Sequence, residues 1–135
     1  MHVVMDTGPW VALIDRSESK HEQCSEWFRR FEGEIVTSEA VLTEVLFLLN
    51  FSNLAQSAAI EFVLTGAITI VPSSIESLKT AKWLMRKYMN VPMDYADATL
   101  VCLAEDLSTV HVVTLDRKHF SIYRSPSKKS FVLLP

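Results

Sequence analysis

The chain has 135 residues, 49% of them hydrophobic, which suits one domain built around one core. Its net charge of −3 argues at first sight against a nucleic-acid binder, and no apolar run reaches the roughly 18 residues of a membrane helix. Met1 to Asp6 lacks the basic-then-apolar pattern of a leader, and Cys24 and Cys102, far apart, read as reduced core thiols of a cytoplasmic protein.

In chain order, His2 to Met5 predicts a short buried strand. Thr7-Gly8-Pro9 turns the chain into a helix over Trp10 to Asp15, with Pro9 at its first turn. Ser19 to Phe31 predicts a second helix, ended by Gly33, and Glu34 to Thr37 a second strand. Ser38 is a good N-cap for a helix to Asn50, and another helix runs from Asn53 to Thr65, stopped by Gly66. Ala67 to Val71 is a strand closed by Pro72, and Ser74 to Tyr88 a helix broken by Asn90-Val91-Pro92. Asp94 to Asp106 is a helix with Asp94 as N-cap, and Val110 to Leu115 a strand. Lys118 to Tyr123 reads as irregular, Ser125 to Lys129 as a polar loop, and Phe131 to Leu134 as the last strand. Alternation of strands and helices predicts an α/β fold, a mostly parallel sheet with helices on both faces. The ligand site of such a sheet lies beyond the carboxyl ends of its strands, where Asp6 and Asp116 fall.

Four acids border or interrupt apolar segments. Asp6 closes Val3-Val4-Met5, Asp116 closes Val110 to Leu115, Glu44 interrupts Ala40 to Leu49, and Asp97 precedes Ala98 to Ala104. With Glu39 at zero on a helical wheel, Thr43 and Asn50 fall at about 40° and 20°, and Glu44 at about 140°, away from that polar stripe. Each acid also has an ordinary structural use. Asp6 and Asp116 can cap the turns that follow them, Asp94 can cap its helix, and Asp97 suits a first turn where the helix dipole favours negative charge. A carboxylate beside a buried element is costly unless paired or metal-bound, so one shared site accounts for Asp6, Glu44, Asp97 and Asp116 better than four separate explanations, while Asp94 stays open between a cap and a further metal acid. Hard oxygen donors without a His or Cys set suit Mg²⁺ or Mn²⁺. Setting four carboxylates aside as ion ligands leaves a net +1 on the rest of the surface, so nucleic acid stays open.

The remaining motifs carry less. The four histidines form no ligand spacing, and three glycines make no phosphate loop. Lys79, Lys82 and Arg86 share one helix face, either a solvated face or a track for RNA phosphates continued by Arg117, Lys118 and Lys128-Lys129. Trp10, Trp27, Phe28 and Phe31 read as core or dimer surface rather than base-stacking platforms.

Val3-Val4-Met5-Asp6-Thr7-Gly8-Pro9-Trp10-Val11-Ala12-Leu13-Ile14-Asp15 with His21, Ser38 to Val45, Asp97-Ala98-Thr99-Leu100-Val101 and Thr114 to Phe120 resemble, in order, the four acidic motifs of the PIN domain family. The match spans nearly the whole chain. It departs after Asp97, where Leu100-Val101-Cys102-Leu103 replaces the more usual Ala-rich continuation. The resemblance implies a single PIN-like domain and a metal-dependent endoribonuclease leaving 5′-phosphate and 3′-hydroxyl ends. It implies Asp6, Glu44, Asp97 and Asp116 as metal-site acids, with Thr7 and Thr114 as their hydrogen-bonding neighbours. Small members are often toxins of VapBC-type pairs, homodimers inhibited by a cognate antitoxin protein. Two other classes stand beside this: a non-catalytic module holding RNA or protein, and a phosphotransfer domain with Asp6 as nucleophile. Asp6-Thr7-Gly8-Pro9 lacks the second acid the latter wants.

Overall fold

A computed structural model describes residues 1–135. Its centre is five parallel strands: β1 (His2–Met5), β2 (Glu34–Thr37), β3 (Thr69–Ile70), β4 (His111–Val113) and β5 (Val132–Leu134), in the order β3-β2-β1-β4-β5. The helices are α1 (Thr7–Ile14), α2 (His21–Arg30), α3 (Glu39–Leu48), α4 (Asn53–Leu64), α5 (Ile75–Lys87), α6 (Tyr95–Asp106) and α7 (Arg117–Phe120). The register pairs Val4 with Val36 on one side and Val112 on the other. The chain steps outward from β1 to β2 and β3, then returns to β4 beside β1. Right-handed crossovers therefore put α1 to α4 on one face and α5 to α7 on the other. The reversal of direction lies between β1 and β4, the place where such sheets open a crevice.

β1 buries Val3, Val4 and Met5 completely, as its unbroken apolar run predicts for a strand covered on both faces. α6 is buried continuously from Ala98 to Ala104, which makes it the central helix, wrapped on most of its surface. Leu100, Val101, Val41, Val45, Val112 and Val113 belong to the same core.

The sheet is wholly rather than mostly parallel. α1 begins at Thr7, three residues before the predicted Trp10, because Asp6 caps it and Pro9 sits where a backbone N–H has no intrahelical partner anyway. The predicted Ala67 to Val71 strand shrinks to Thr69–Ile70, and Val110 to Leu115 to His111–Val113. The segment after Lys118 is not irregular throughout: Asp116 accepts from the His119 amide at 3.1 Å and starts the single turn α7. The aromatic side chains of α2 turn largely inward, Trp27 stacking on Phe31 at 4.8 Å and Phe28 meeting Phe62 of α4 at 5.5 Å.

Gly33 leads into β2 with φ +146°, and a Cβ there would strike the Met1 carbonyl oxygen, which accepts the Glu34 amide at 2.9 Å. Gly66 has φ +85° but open space around it. Gly66→Ala should therefore cost about 1–2 kcal/mol through backbone strain alone, and Gly33→Ala distinctly more. Urea unfolding of the two variants checks this, and equal costs would show that the close approach at Gly33 is unimportant.

Candidate active site

The first acid is built by the end of β1. Asp6 is 8% exposed, and its amide donates to the Val113 carbonyl at 2.9 Å. Its Oδ1 accepts from the Thr7 amide at 2.8 Å and its Oδ2 from the Thr114 hydroxyl at 2.7 Å. Thr114 also accepts the Asp116 amide at 2.9 Å, so one buried hydroxyl joins the ends of β1 and β4 and sets both acids. Thr7 performs the matching task toward α3: its hydroxyl donates to Glu44 Oε2 at 2.8 Å.

The ends of α3 and α6 are held together by a second pair of hydroxyls. Ser38, the N-cap of α3, lies 2.7 Å from Thr99 of α6. Thr99 donates to the Ala96 carbonyl at 2.6 Å, so Ser38 donates to Thr99. Asp94 and Asp97 form a reciprocal capping box, with the Asp97 amide 2.8 Å from Asp94 Oδ1 and the Asp94 amide 3.3 Å from Asp97 Oδ2. Tyr123, fully buried, donates to the Pro92 carbonyl and lies 3.4 Å from Asp97 Oδ2. It ties the loop before α6 to the segment that follows Asp116.

These carboxylates feel one another. Burial pushes the Asp6 carboxyl up, and the charges of Asp116 and Asp94 add to this against the Thr114 and Thr7 hydrogen bonds. Burial likewise raises Glu44, helped by Asp94 and Asp6 and opposed by Thr7. Asp97 is pushed up to about 8 by burial, then by Asp94 and Asp6. No Lys or Arg forms an ion pair with any of these acids; the one basic contact is His119 Nδ1, 2.9 Å from Asp116 Oδ2. The donors are carboxylate and hydroxyl oxygens, and no three His, Cys, Asp or Glu side chains close into a ready-made ligand set. The cleft beside them is open and lined by Ala40, Thr43, Glu44, Asp94, Tyr95 and Ala96.

The four acids singled out in the sequence thus share one electrostatic neighbourhood, and Asp94 joins it while still capping α6. The basic stripe does not. α5 starts at the carboxyl end of the sheet and runs away from it, carrying Arg86 about 16 Å along the axis from Ile75. Lys79 pairs with Glu76 at 3.4 Å. Arg117 and Lys118, both exposed, directly follow Asp116, and Arg117 donates to the Pro135 carbonyl at 2.5 Å. Tyr95 and Tyr123 were not visible as site residues in the sequence. Tyr95 has one local signal, an aromatic directly after the N-cap acid, whereas Tyr123 reaches Asp97 only through the fold.

The family model described as the PIN domain matches residues 3–125. The chain is 27% identical to Ribonuclease VapC26 of Mycobacterium tuberculosis over 98% of its length and all of that protein. Among solved structures it resembles VapC20 of Mycobacterium tuberculosis, a sarcin-ricin loop cleaving toxin, with TM-score 0.79 at 18% identity, covering 87% of this chain and 92% of that one. It also resembles VapBC2 of Rickettsia felis bound to a promoter DNA fragment, with TM-score 0.66 at 15% identity, covering 98% and 97%. A toxin–antitoxin complex from Klebsiella pneumoniae aligns with TM-score 0.66 at 16% identity over 88% and 90%.

An acid whose pKa rises on folding binds more protons folded than unfolded. Its destabilising effect is absent below the unfolded value near 4 and grows as pH climbs toward the folded value, about 8 for Asp97. In EDTA, the thermal midpoint should therefore fall between pH 5 and pH 8, and Asp97→Asn should raise it at pH 8 and flatten the profile. A midpoint insensitive to pH in the unsubstituted protein would show that neither burial nor mutual repulsion raises these acids.

Proposed function

This chain belongs to the PIN domain family, and we propose on that footing that it is a Mg²⁺- or Mn²⁺-dependent endoribonuclease. The observation that carries the reading is the cluster itself: Asp6, Glu44, Asp97 and Asp116, with Asp94 among them, gathered where the sheet opens and without a Lys or Arg partner. Buried like charges of this kind want a hard divalent cation, and the all-oxygen donor set suits Mg²⁺ or Mn²⁺ better than zinc. When bound, such ions lower the pKa of a water and stabilise the leaving oxygen of a phosphodiester. Asp6, Glu44, Asp97 and Asp116 would hold them. Thr114 and Thr7 orient Asp6 and Glu44, and His119 orients Asp116, so that binding needs only a closing-in of carboxylates already turned toward one crevice. Arg117 and Lys118 project beside Asp116 as the nearest candidates for RNA phosphate contacts, ahead of Lys79, Lys82 and Arg86.

The ribonuclease name of the VapC26 relative supports RNA as substrate. The toxin–antitoxin assemblies among the structural relatives support a toxin role with a cognate antitoxin. A homodimer fits the apolar excess, because Phe47, Leu48, Phe51 and Leu54 around the α3–α4 turn are more than half exposed. No helix is long and apolar enough to cross a membrane, and Cys24 and Cys102 are buried and unbridged, which fits a reducing cytoplasm. One observation favours the non-catalytic binding module instead: the acids do not close into a ready ligand set.

Purified protein should cut single-stranded and structured RNA with Mn²⁺ or Mg²⁺ and stop in EDTA. Asp6→Asn and Asp97→Asn should each lose roughly a hundredfold or more in rate while keeping the wild-type circular dichroism spectrum. Thr114→Val, which removes only the hydroxyl holding Asp6 and Asp116, should lose roughly tenfold. Full activity in Asp6→Asn would remove the metal-site assignment, and no Mn²⁺ binding by calorimetry would favour the non-catalytic module.

A further inference from the structure

We propose that Tyr95 is a stacking platform for one base of a single-stranded RNA, seated in the cleft next to the acids and flanking the phosphate to be cut. The proposal rests on the nuclease reading and adds to it a subsite. Tyr95 is the first residue of α6, bonded directly to Asp94, and 36% of it is exposed. It lines the open cleft with Ala40, Thr43, Glu44, Asp94 and Ala96. Its hydroxyl lies 3.0 Å from the Ser73 hydroxyl in the loop before α5, which tethers the ring at its edge. No ring or cation of the protein stacks on it, although Trp27, Phe28, Phe31, Tyr88 and Tyr123 all have aromatic partners.

The rest of the lining fits a base. Ala40 and Ala96 are small, so the space in front of the ring stays open. The lining holds no Lys or Arg to grip a phosphate, whereas an uncharged π face needs no cation to stack on a ring. A ring held by a hydroxyl tether has little rotamer freedom left to lose when the base arrives. Other exposed aromatics, Phe47, Phe51 and Trp83, are not part of this cleft.

The test uses single-stranded RNA dodecamers, each with one abasic position, in two assays. In cleavage with Mn²⁺, Tyr95→Ala should raise KM about tenfold with kcat within about twofold, while Tyr95→Phe and Tyr95→Trp stay close to wild type. In anisotropy binding to Asp6→Asn protein, one abasic position should weaken binding about tenfold, and the same lesion should cost nothing further in the Asp6→Asn, Tyr95→Ala double variant. A merely structural role for Tyr95 would weaken all oligonucleotides alike and leave the abasic penalties intact. Equal abasic penalties with and without the Tyr95 ring would overturn the platform even if the protein cuts RNA. Absence of cutting by wild type, with the abasic coupling present, would instead remove the nuclease reading and keep the base subsite.

Discussion

Everything at the working end of this molecule follows from the cost of burying like charges side by side. Asp6, Glu44, Asp94, Asp97 and Asp116 are brought together by the sheet and its crossovers, and burial raises Asp6, Glu44 and Asp97 against ionisation. Such a cluster is expensive in a folded protein. It persists because the surroundings over-determine it. Ser38 and Thr99 lock α3 on α6, Thr114 joins β1 to β4, and the continuously buried stretch of α6 anchors the element that carries Asp97. The core is what allows the site to be strained, a common bargain at functional centres.

Capping and clustering turn out not to be rival explanations for the acids. Asp6, Asp94 and Asp116 are the N-caps of α1, α6 and α7. Each carboxylate satisfies backbone amides that would otherwise lack partners, and each sits where the helix dipole favours negative charge. Three helix starts pointed at one crevice lower the cost of holding acids there, though not enough to cancel it, since Asp6 and Asp97 are still pushed upward. The same geometry that makes each acid look ordinary in isolation makes the group unusual. A cap explains one oxygen of one carboxylate; it does not explain why the caps meet.

Legibility in the sequence followed the range of the interactions. The buried strand His2–Met5, the Ser38 cap and the inward angle of Glu44 are local matters of periodicity and hydrogen-bonding chemistry, and all three were readable. The start of α1 was misplaced because Gly8 and Pro9 read as turn residues, while the deciding bond runs from the Thr7 amide to Asp6. The basic stripe of α5 looked like a phosphate track because its spacing is right, yet its direction relative to the sheet is set by topology, which spacing does not carry. α3 is not covered all round as its apolar sequence suggests, since Phe47 and Leu48 face solvent, yet Glu44 does turn off the polar stripe to meet the Thr7 hydroxyl.

Two tyrosines show why the rest of the site was out of reach of local reasoning. Tyr123 is fully buried, wedged between Tyr88, Phe120 and the Pro92 carbonyl, and touches Asp97 across 26 residues of chain. Its hydroxyl needs a partner inside the core, and the loop before α6 supplies it, so the acid ends of α6 and α7 cannot separate without breaking that bond. Tyr95 is its opposite: tethered through the hydroxyl but partly exposed where it lines the open cleft. One ring fixes where Asp97 stands, and the other borders the space in front of Asp94 and Glu44. A bare cluster of acids can hold an ion but has no grip on what the ion acts upon. The aromatic face at the rim supplies that grip without adding charge, which is the one property the crevice cannot take more of.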